Sequence, residues 1–162
     1  MRFPPVIGFN LAGRRYALPA DFEGRLNLVL IAFQREQQDL VDTWLPLARQ
    51  LAAKHEVLRY YELPTISRAY GPARFVIDGG MRAGIPDPVA RATTITLYLD
   101  KRAFREALDL PNEDTIYTLL VDRTGDVLWR AQGACTPELN ADLEQTAVRL
   151  LGQAAVNAEE TP

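Results

Sequence analysis

The run LNLVLIAF, residues 26–33, constrains this chain more than any other stretch. It is apolar at nearly every position and of strand length, so neither of its faces can be given to water. It therefore predicts a central β-strand covered on both sides by other elements. The rest of the chain supplies those elements in alternation. A helix is expected from about Glu36, where Leu40, Val41, Trp44, Leu45, Ala48, Leu51 and Ala52 recur at three- and four-residue spacing. Pro46 falls inside that pattern and predicts a kink, because proline cannot donate to the preceding turn. EVLRYYELP (56–64) reads as a second strand, ended by its proline. TTITLYLD (93–100) places Ile95, Leu97 and Leu99 on one face at period two, a third strand, and KRAFREALDL (101–110) follows as a short helix.

Two hairpins bracket this alternation. Residues 3–19 carry two short β-like runs around Ala12-Gly13, and residues 115–133 carry two strands around Arg123-Thr124-Gly125-Asp126. The last helix has a clear start: Thr136 can cap it, Pro137 fits its first position, and Leu139, Leu143, Ala147 and Leu150 form its buried stripe. DFEG (21–24) and PNED (111–114) read as turns, and Trp44 and Trp129 as packing residues inside regular elements. With 162 residues, 48% of them hydrophobic, the chain suits one domain with one core, expected over 1–153, with a frayed tail at 154–162. Strands alternating with helices and closed by an antiparallel hairpin and a helix imply a mixed central sheet with helices on both faces, a three-layer α/β/α arrangement.

Composition narrows the function classes. The formal net charge is −3, which provides no global basic field to hold nucleic acid or an anionic membrane, so no nucleic-acid partner is expected. Of the 18 basic residues only Lys54 and Lys101 are lysines, so a single arginine says little by itself. No stretch approaches the roughly 20 consecutive apolar residues of a membrane span, and MRFPPVIGF lacks the apolar segment of a signal peptide; a cytoplasmic location without a transmembrane segment is expected. A single cysteine, Cys135, precludes an intramolecular disulfide, a CxxC couple and a cysteine-rich zinc site. The one histidine, His55, follows Lys54 at a helix-to-strand junction where a surface side chain is expected.

The order βαβαβαββα behind an N-terminal hairpin resembles the thioredoxin-like fold in its peroxiredoxin-like variant. The resemblance spans about residues 5–152. It rests on LVLIAF leading into a Pro-containing helix, on YLDKRAFREALDL as strand, Asp and short helix, and on YTLLVDRTGDVLWRAQG before a Thr-Pro-Glu-capped helix. The chain departs from that family where redox chemistry should lie. A thioredoxin needs a thiolate just after the first core strand, at the helix N-terminus, where the dipole lowers its pKa. Here that junction reads QREQQDLVDTW, and the strand IYTLLVD is preceded by Asp114-Thr115 rather than by proline. Neither thiol exchange nor peroxide reduction follows from such a junction. Cys135, in GACTPE, reads either as a small buried apolar residue or as a regulatory thiol whose pKa is lowered by the following helix N-terminus.

The interval between the second and third strands, residues 65–94, holds the unusual segment DGGMRAGIP (78–86). Its Gly and Pro content argues for an interrupted helix plus a shaped loop, in which Gly79, Gly80 and Gly84 allow positive φ while Pro86 and Pro88 stiffen the exit. Seven Arg and Lys against three Asp between Arg68 and Arg105 make this region locally basic. An anionic ligand or an acidic partner surface could use it. The alternative is a plain connection, with Met81 and Ile85 filling the core and Arg82 paired with Asp78 or Asp87. Glu62 ends a strand in YELP, on the edge where α/β sheets place their sites, and is expected to pair with the arginine segment, the alternative being a solvated side chain. GMRAGIP in this frame further resembles the mitochondrial F0 ATP synthase assembly factors and their bacterial thioredoxin-like relatives, which implies an assembly or binding role without a redox centre.

The leading expectation is a redox-inactive binding or assembly protein of the bacterial type, whose recognition surface at 78–91 uses Glu62, Asp78, Gly80, Met81, Arg82, Ile85, Pro86 and Arg91. The partner is a protein or a small anionic ligand, and no catalytic residue, cofactor or metal is assigned. The competing expectation is an enzyme in which Glu62 or Asp78 is the acid/base and Arg82 or Arg91 holds a small anionic substrate. A third is thiol chemistry at Cys135. The sequence names no oligomeric state.

Overall fold

A computed structural model describes residues 1–159, excepting the side chains of 154–159. The strands are β1 (Val6–Asn10), β2 (Arg15–Leu18), β3 (Leu26–Ala32), β4 (Leu58–Ser67), β5 (Ile95–Leu99), β6 (Tyr117–Asp122) and β7 (Val127–Gln132). The α-helices are α1 (Gln38–Asp42), α2 (Leu45–Lys54), α3 (Arg74–Gly84), α4 (Pro88–Thr93), α5 (Lys101–Ala107) and α6 (Pro137–Glu159), with 3₁₀ turns at Arg35–Gln37 and Arg68–Ala73. The seven strands form one mixed sheet in the order β2-β1-β5-β4-β3-β6-β7. β4 runs parallel to both β3 and β5, whereas the remaining pairs are antiparallel.

The apolar run behaves as its composition requires. Successive side chains of β3 point to opposite faces, so Leu28 and Leu30 enter one hydrophobic cluster while Val29 and Ile31 enter another. The first cluster is closed by Val41, Trp44, Leu47, Ala48 and Leu51 of the α1–α2 segment and by Leu143 and Ala147 of α6. The second is closed by Phe104 of α5 and Leu108 just after it, by Tyr16 and Leu18 of β2, and by Phe3 and Phe22. Trp44 is fully buried; its indole N–H donates to the Gly133 carbonyl at 2.8 Å, and its ring meets Trp129 edge-on at 6.1 Å between centroids.

Both hairpins form as expected, β1–β2 and β6–β7, the second turning at Gly125 with φ +97°, a value that favours glycine. Thr136 Oγ1 accepts from the Leu139 N–H at 3.2 Å, and Pro137 opens α6. The helix backbone continues to Glu159, while the rest of the expected tail at 154–162 lies outside the described residues.

Two proline readings are corrected. The helix expected to kink at Pro46 is instead two helices, α1 and α2, broken at Thr43-Trp44, and Pro46 stands in the first turn of the second. That position costs no hydrogen bond, since the first N–H groups of a helix have no partner within it. Pro64 does not end its strand. β4 pairs with β3 as far as Pro64 and then continues along β5 from Thr65 to Ser67, so the missing N–H falls where pairing passes from one neighbour to the other.

The largest correction concerns DGGMRAGIP. Asp78 to Gly84 are the second half of α3, and neither Gly79, Gly80 nor Gly84 has positive φ. The interrupted helix is present, as α3 and α4 with a break at 85–87, but the shaped loop is not. Contacts from elsewhere in the chain hold this glycine-rich stretch helical. The Arg91 side chain donates from Nε to the Ile85 carbonyl and from an Nη to the Arg82 carbonyl, which satisfies the open end of the helix. Arg82 Nε donates to the Leu11 carbonyl at 2.7 Å, and the Tyr98 hydroxyl donates to Asp78 at 2.9 Å.

Candidate functional site

The alternation of β4 and β5 decides what lies above them. Leu63 and Thr65 point to the α5 side, while Tyr60 packs on the α2 side, so Glu62, Pro64 and Ile66 face the same side as α1 and α2. On β5, Ile95 and Leu97 enter the α5-side cluster, leaving Thr96 and Tyr98 to meet α3 through Met81 and Asp78. α3 thus lies beside the α1–α2 segment on one face of the sheet, and a cleft of about 840 Å³ opens between them. Its floor is Glu62 in the middle of β4 and Pro64, Thr65 and Ile66 toward its carboxyl end, together with Ala32 at the end of β3 and Phe33 just after it. One wall is apolar, carrying Ile77, Met81 and Ile85 at four-residue spacing on and just after α3. The other is mostly polar, carrying Arg35, Gln38, Asp42 and Arg49.

Glu62 is half-buried at the junction of these walls. Gln38 Nε2 donates to Glu62 Oε1 at 3.1 Å and to Asp42 Oδ1 at 2.9 Å, so one neutral amide bridges two carboxylates. Burial pushes the Glu62 carboxyl above the usual carboxylate range, and the neighbouring Asp42 adds to the rise, against the lowering effect of the Gln38 bond and the Arg49 charge. Among the described residues no Lys or Arg forms an ion pair with Glu62. The pairing of Glu62 with the arginine segment is therefore corrected.

Of the residues expected to form a site, the fold brings Glu62, Gly80, Met81 and Ile85 together around the cleft. Asp78 is turned beneath α3 toward Tyr98, Arg82 and Arg91 are engaged with backbone carbonyls, and Pro86 lies in the break between α3 and α4; none of these four lines the cleft. The local basic field is likewise largely committed. Lys101 and Arg105 pair with Glu113, Arg102 with Glu106, and the Arg74 guanidinium sits 4.1 Å over the Phe9 ring. An anion site built from the arginines of this segment does not assemble.

Arg35, Gln38, Asp42 and Arg49 were not singled out from the sequence. The signal for Arg35 and Gln38 is the polar run QREQQD directly after the buried strand, at the carboxyl edge where open α/β sheets receive ligands, whereas Asp42 and Arg49 lie beyond that run in α1 and α2. Cys135 is on another part of the surface, where its N–H takes a hydrogen bond to Thr43 Oγ1 at 2.9 Å and its side chain packs beside the α2–α6 cluster. Burial pushes its thiol pKa up, opposite to the lowering expected of a thiol activated by the helix N-terminus. Among the described residues no group of three or more His, Cys, Asp and Glu side chains is arranged to hold a metal, and no helix is long and apolar enough to cross a membrane.

Comparison with solved structures addresses the architecture. Yeast Sco1 with copper bound matches with a TM-score of 0.59 at 13% identity, over 91% of this chain and 92% of its own. The fold is thioredoxin-like. BsSco, a member of the Sco family of cytochrome c oxidase assembly proteins described with a disulfide switch, matches with a TM-score of 0.55 at 13% identity over 91% of this chain and 94% of its own. The exposed lipoprotein thioredoxin Etrx1 of Streptococcus pneumoniae matches with a TM-score of 0.55 at 15% identity over 89% and 98%. No family model matches the chain, and no curated protein matches it. The resemblance to ATP synthase assembly factors gains no support from these results, and its motif GMRAGIP is largely helical here. With an exposed lipoprotein among the similar folds, likeness of fold gives the cytoplasmic expectation no support either.

Proposed function

We propose that this thioredoxin-like chain is a binding protein that acts without thiol redox chemistry, and that the cleft between α3 and the α1–α2 segment is its binding site. The observation that supports this reading most directly is the cleft itself. It lies at the end of β3, where the redox proteins of this fold keep their reactive junction, yet its walls carry an apolar stripe and a bridged carboxylate pair instead of cysteine. Its volume, about 840 Å³, lies within the range usual for small-molecule sites, and its mix of apolar lining and a few convergent polar groups is of the kind that holds ligands. A peptide segment of a protein partner fits the same description, and BsSco belongs to a family of assembly proteins. A cytoplasmic setting and a bacterial origin are part of this proposal.

The test fills the cleft. A Cβ built on Gly84 meets nothing within 4 Å, so Gly84→Leu projects into open space without forcing the helix to move. Native mass spectrometry and co-purification from lysate should recover a ligand or partner with the intact protein and lose it with Gly84→Leu, both shown folded by circular dichroism. Undiminished recovery with the variant would sink the reading. In the same preparations, insulin disulfide reduction should stay at background.

An enzyme reading is favoured by the half-buried Glu62 carboxyl on the floor of the cleft, which burial pushes above the usual carboxylate range. In that reading Glu62 alone is the acid/base, because Asp78 is held by Tyr98 outside the cleft and Arg82 and Arg91 are spent on the backbone. A turnover that survives Glu62→Gln with an unchanged pH profile would exclude it.

A further inference from the structure

Resting on the cleft as the binding site, we infer that it selects a ligand carrying a protonated amine on an apolar body, with Glu62 as the residue that sets this preference. Glu62 Oε1 is occupied by Gln38, whereas Oε2 is met only by a long contact from the Thr94 hydroxyl. Thr94 Oγ1 stands 3.5 Å from it with a single proton to give, and the Ala90 carbonyl at 2.7 Å is the much shorter acceptor for that proton. Gln38 has in turn spent both amide protons on Glu62 and Asp42, and among the described residues its own oxygen receives none. Three acceptors, Glu62, Gln38 and Asp42, therefore converge on the cleft with one neutral amide between them. Among the described residues Glu62 has no ion-pair partner, the Arg49 charge acting on it only from beyond ion-pair distance. A half-buried carboxylate so placed is costly, and an ammonium group with three donors is the complement it lacks.

Two arginines line the same cleft and define the rival reading. Arg35 and Arg49 are exposed, and no described group accepts a hydrogen bond from either guanidinium, so an anionic ligand could seek them. Their charges stand in solvent on flexible side chains, screened by water and salt, whereas the Glu62 carboxylate is held in place at lower dielectric. The held charge governs a ligand that reaches the floor. The apolar body would lie along Ile77, Met81 and Ile85. Gly80 and Gly84 keep that wall open, since a Cβ at either meets nothing within 4 Å.

The chemistry required is an ammonium next to an apolar chain, which a free alkylamine or a lysine among apolar residues can supply. Titration calorimetry at neutral pH would compare n-octylammonium, n-octanol, octanoate and acetyl-Leu-Lys-Leu-amide on the intact protein and on Glu62→Gln. The methyl NMR signal of Met81, one of two methionines in the chain, would report occupancy of the cleft. Octylammonium is expected to bind at least about tenfold tighter than octanol, the gain of one charge-assisted hydrogen bond, and octanoate no tighter than octanol. Glu62→Gln should bring octylammonium down to the octanol level while octanol is unchanged. Glu62-dependent binding of the tripeptide would assign the cation to a lysine side chain, and its absence to a free amine. Octanoate binding as tightly as octylammonium, or a preference that survives Glu62→Gln, would overturn the inference while leaving the cleft as a binding site. A Met81 signal unmoved by all four probes would overturn the binding reading as well.

Discussion

Gln38 donates its side-chain amide to Glu62 across 24 residues of sequence, joining the start of α1 to the middle of β4. This bond places a carboxylate at the head of the cleft without neutralising it. Its energetic consequence is legible in the pH dependence of stability. Because burial raises the Glu62 pKa in the folded state, the folded chain holds a proton that the unfolded chain has released once pH passes the ordinary Glu value. Stability is then lost as pH rises from that ordinary value through the raised one. Urea unfolding across this range should show the wild type losing stability relative to Glu62→Gln as pH rises. Parallel curves would mean that Glu62 is as solvated as a surface carboxylate.

The helical state of α3 makes a prediction opposite to that of a turn. At Gly80 and Gly84 the backbone has no positive φ and a Cβ has free space, so alanine should restrict the unfolded chain and favour the helix. Gly80→Ala and Gly84→Ala should each stabilise by about 0.5–1 kcal/mol in chemical denaturation. A loss of stability at both positions would show that the segment leaves the helical conformation.

Trp44 carries a large part of one core layer. It is fully buried, contacts Trp129 and donates to Gly133. Trp44→Ala should cost about 3–5 kcal/mol, measured as a shift of the denaturation midpoint at unchanged slope. A cost under about 1 kcal/mol would be that of a surface position and would contradict its place in the core.

Cys135 should behave as an unreactive thiol. Burial raises its pKa, so the thiolate fraction at neutral pH is smaller than that of a free cysteine. Iodoacetamide should modify it more slowly than it modifies glutathione at the same pH. A faster reaction would restore the activated-thiol reading.

Local signals in the sequence held where the determining contacts are local. The run 26–33 had to be sandwiched because all its side chains are apolar, and Thr136-Pro137 had to start a helix because the cap is made within four residues. The Gly-Asp turn at 125–126 and the alternation of Ile95 and Leu97 are of the same kind, and together they carry the order βαβαβαββα.

The sequence by itself therefore determined the elements, their order and the absence of a cysteine pair from the junction after β3. Tertiary structure alone decided that a glycine-rich stretch would be a helix, since its ends and face are held by Arg91 of α4, Tyr98 of β5 and Leu11 of the β1–β2 turn. It also decided the site. Periodicity states which residues share a face of one element, but the cleft exists because α3 comes to rest beside α1 and α2 on the same face of the sheet, and that choice depends on which faces of β4 and β5 remain uncovered after the two hydrophobic clusters have formed.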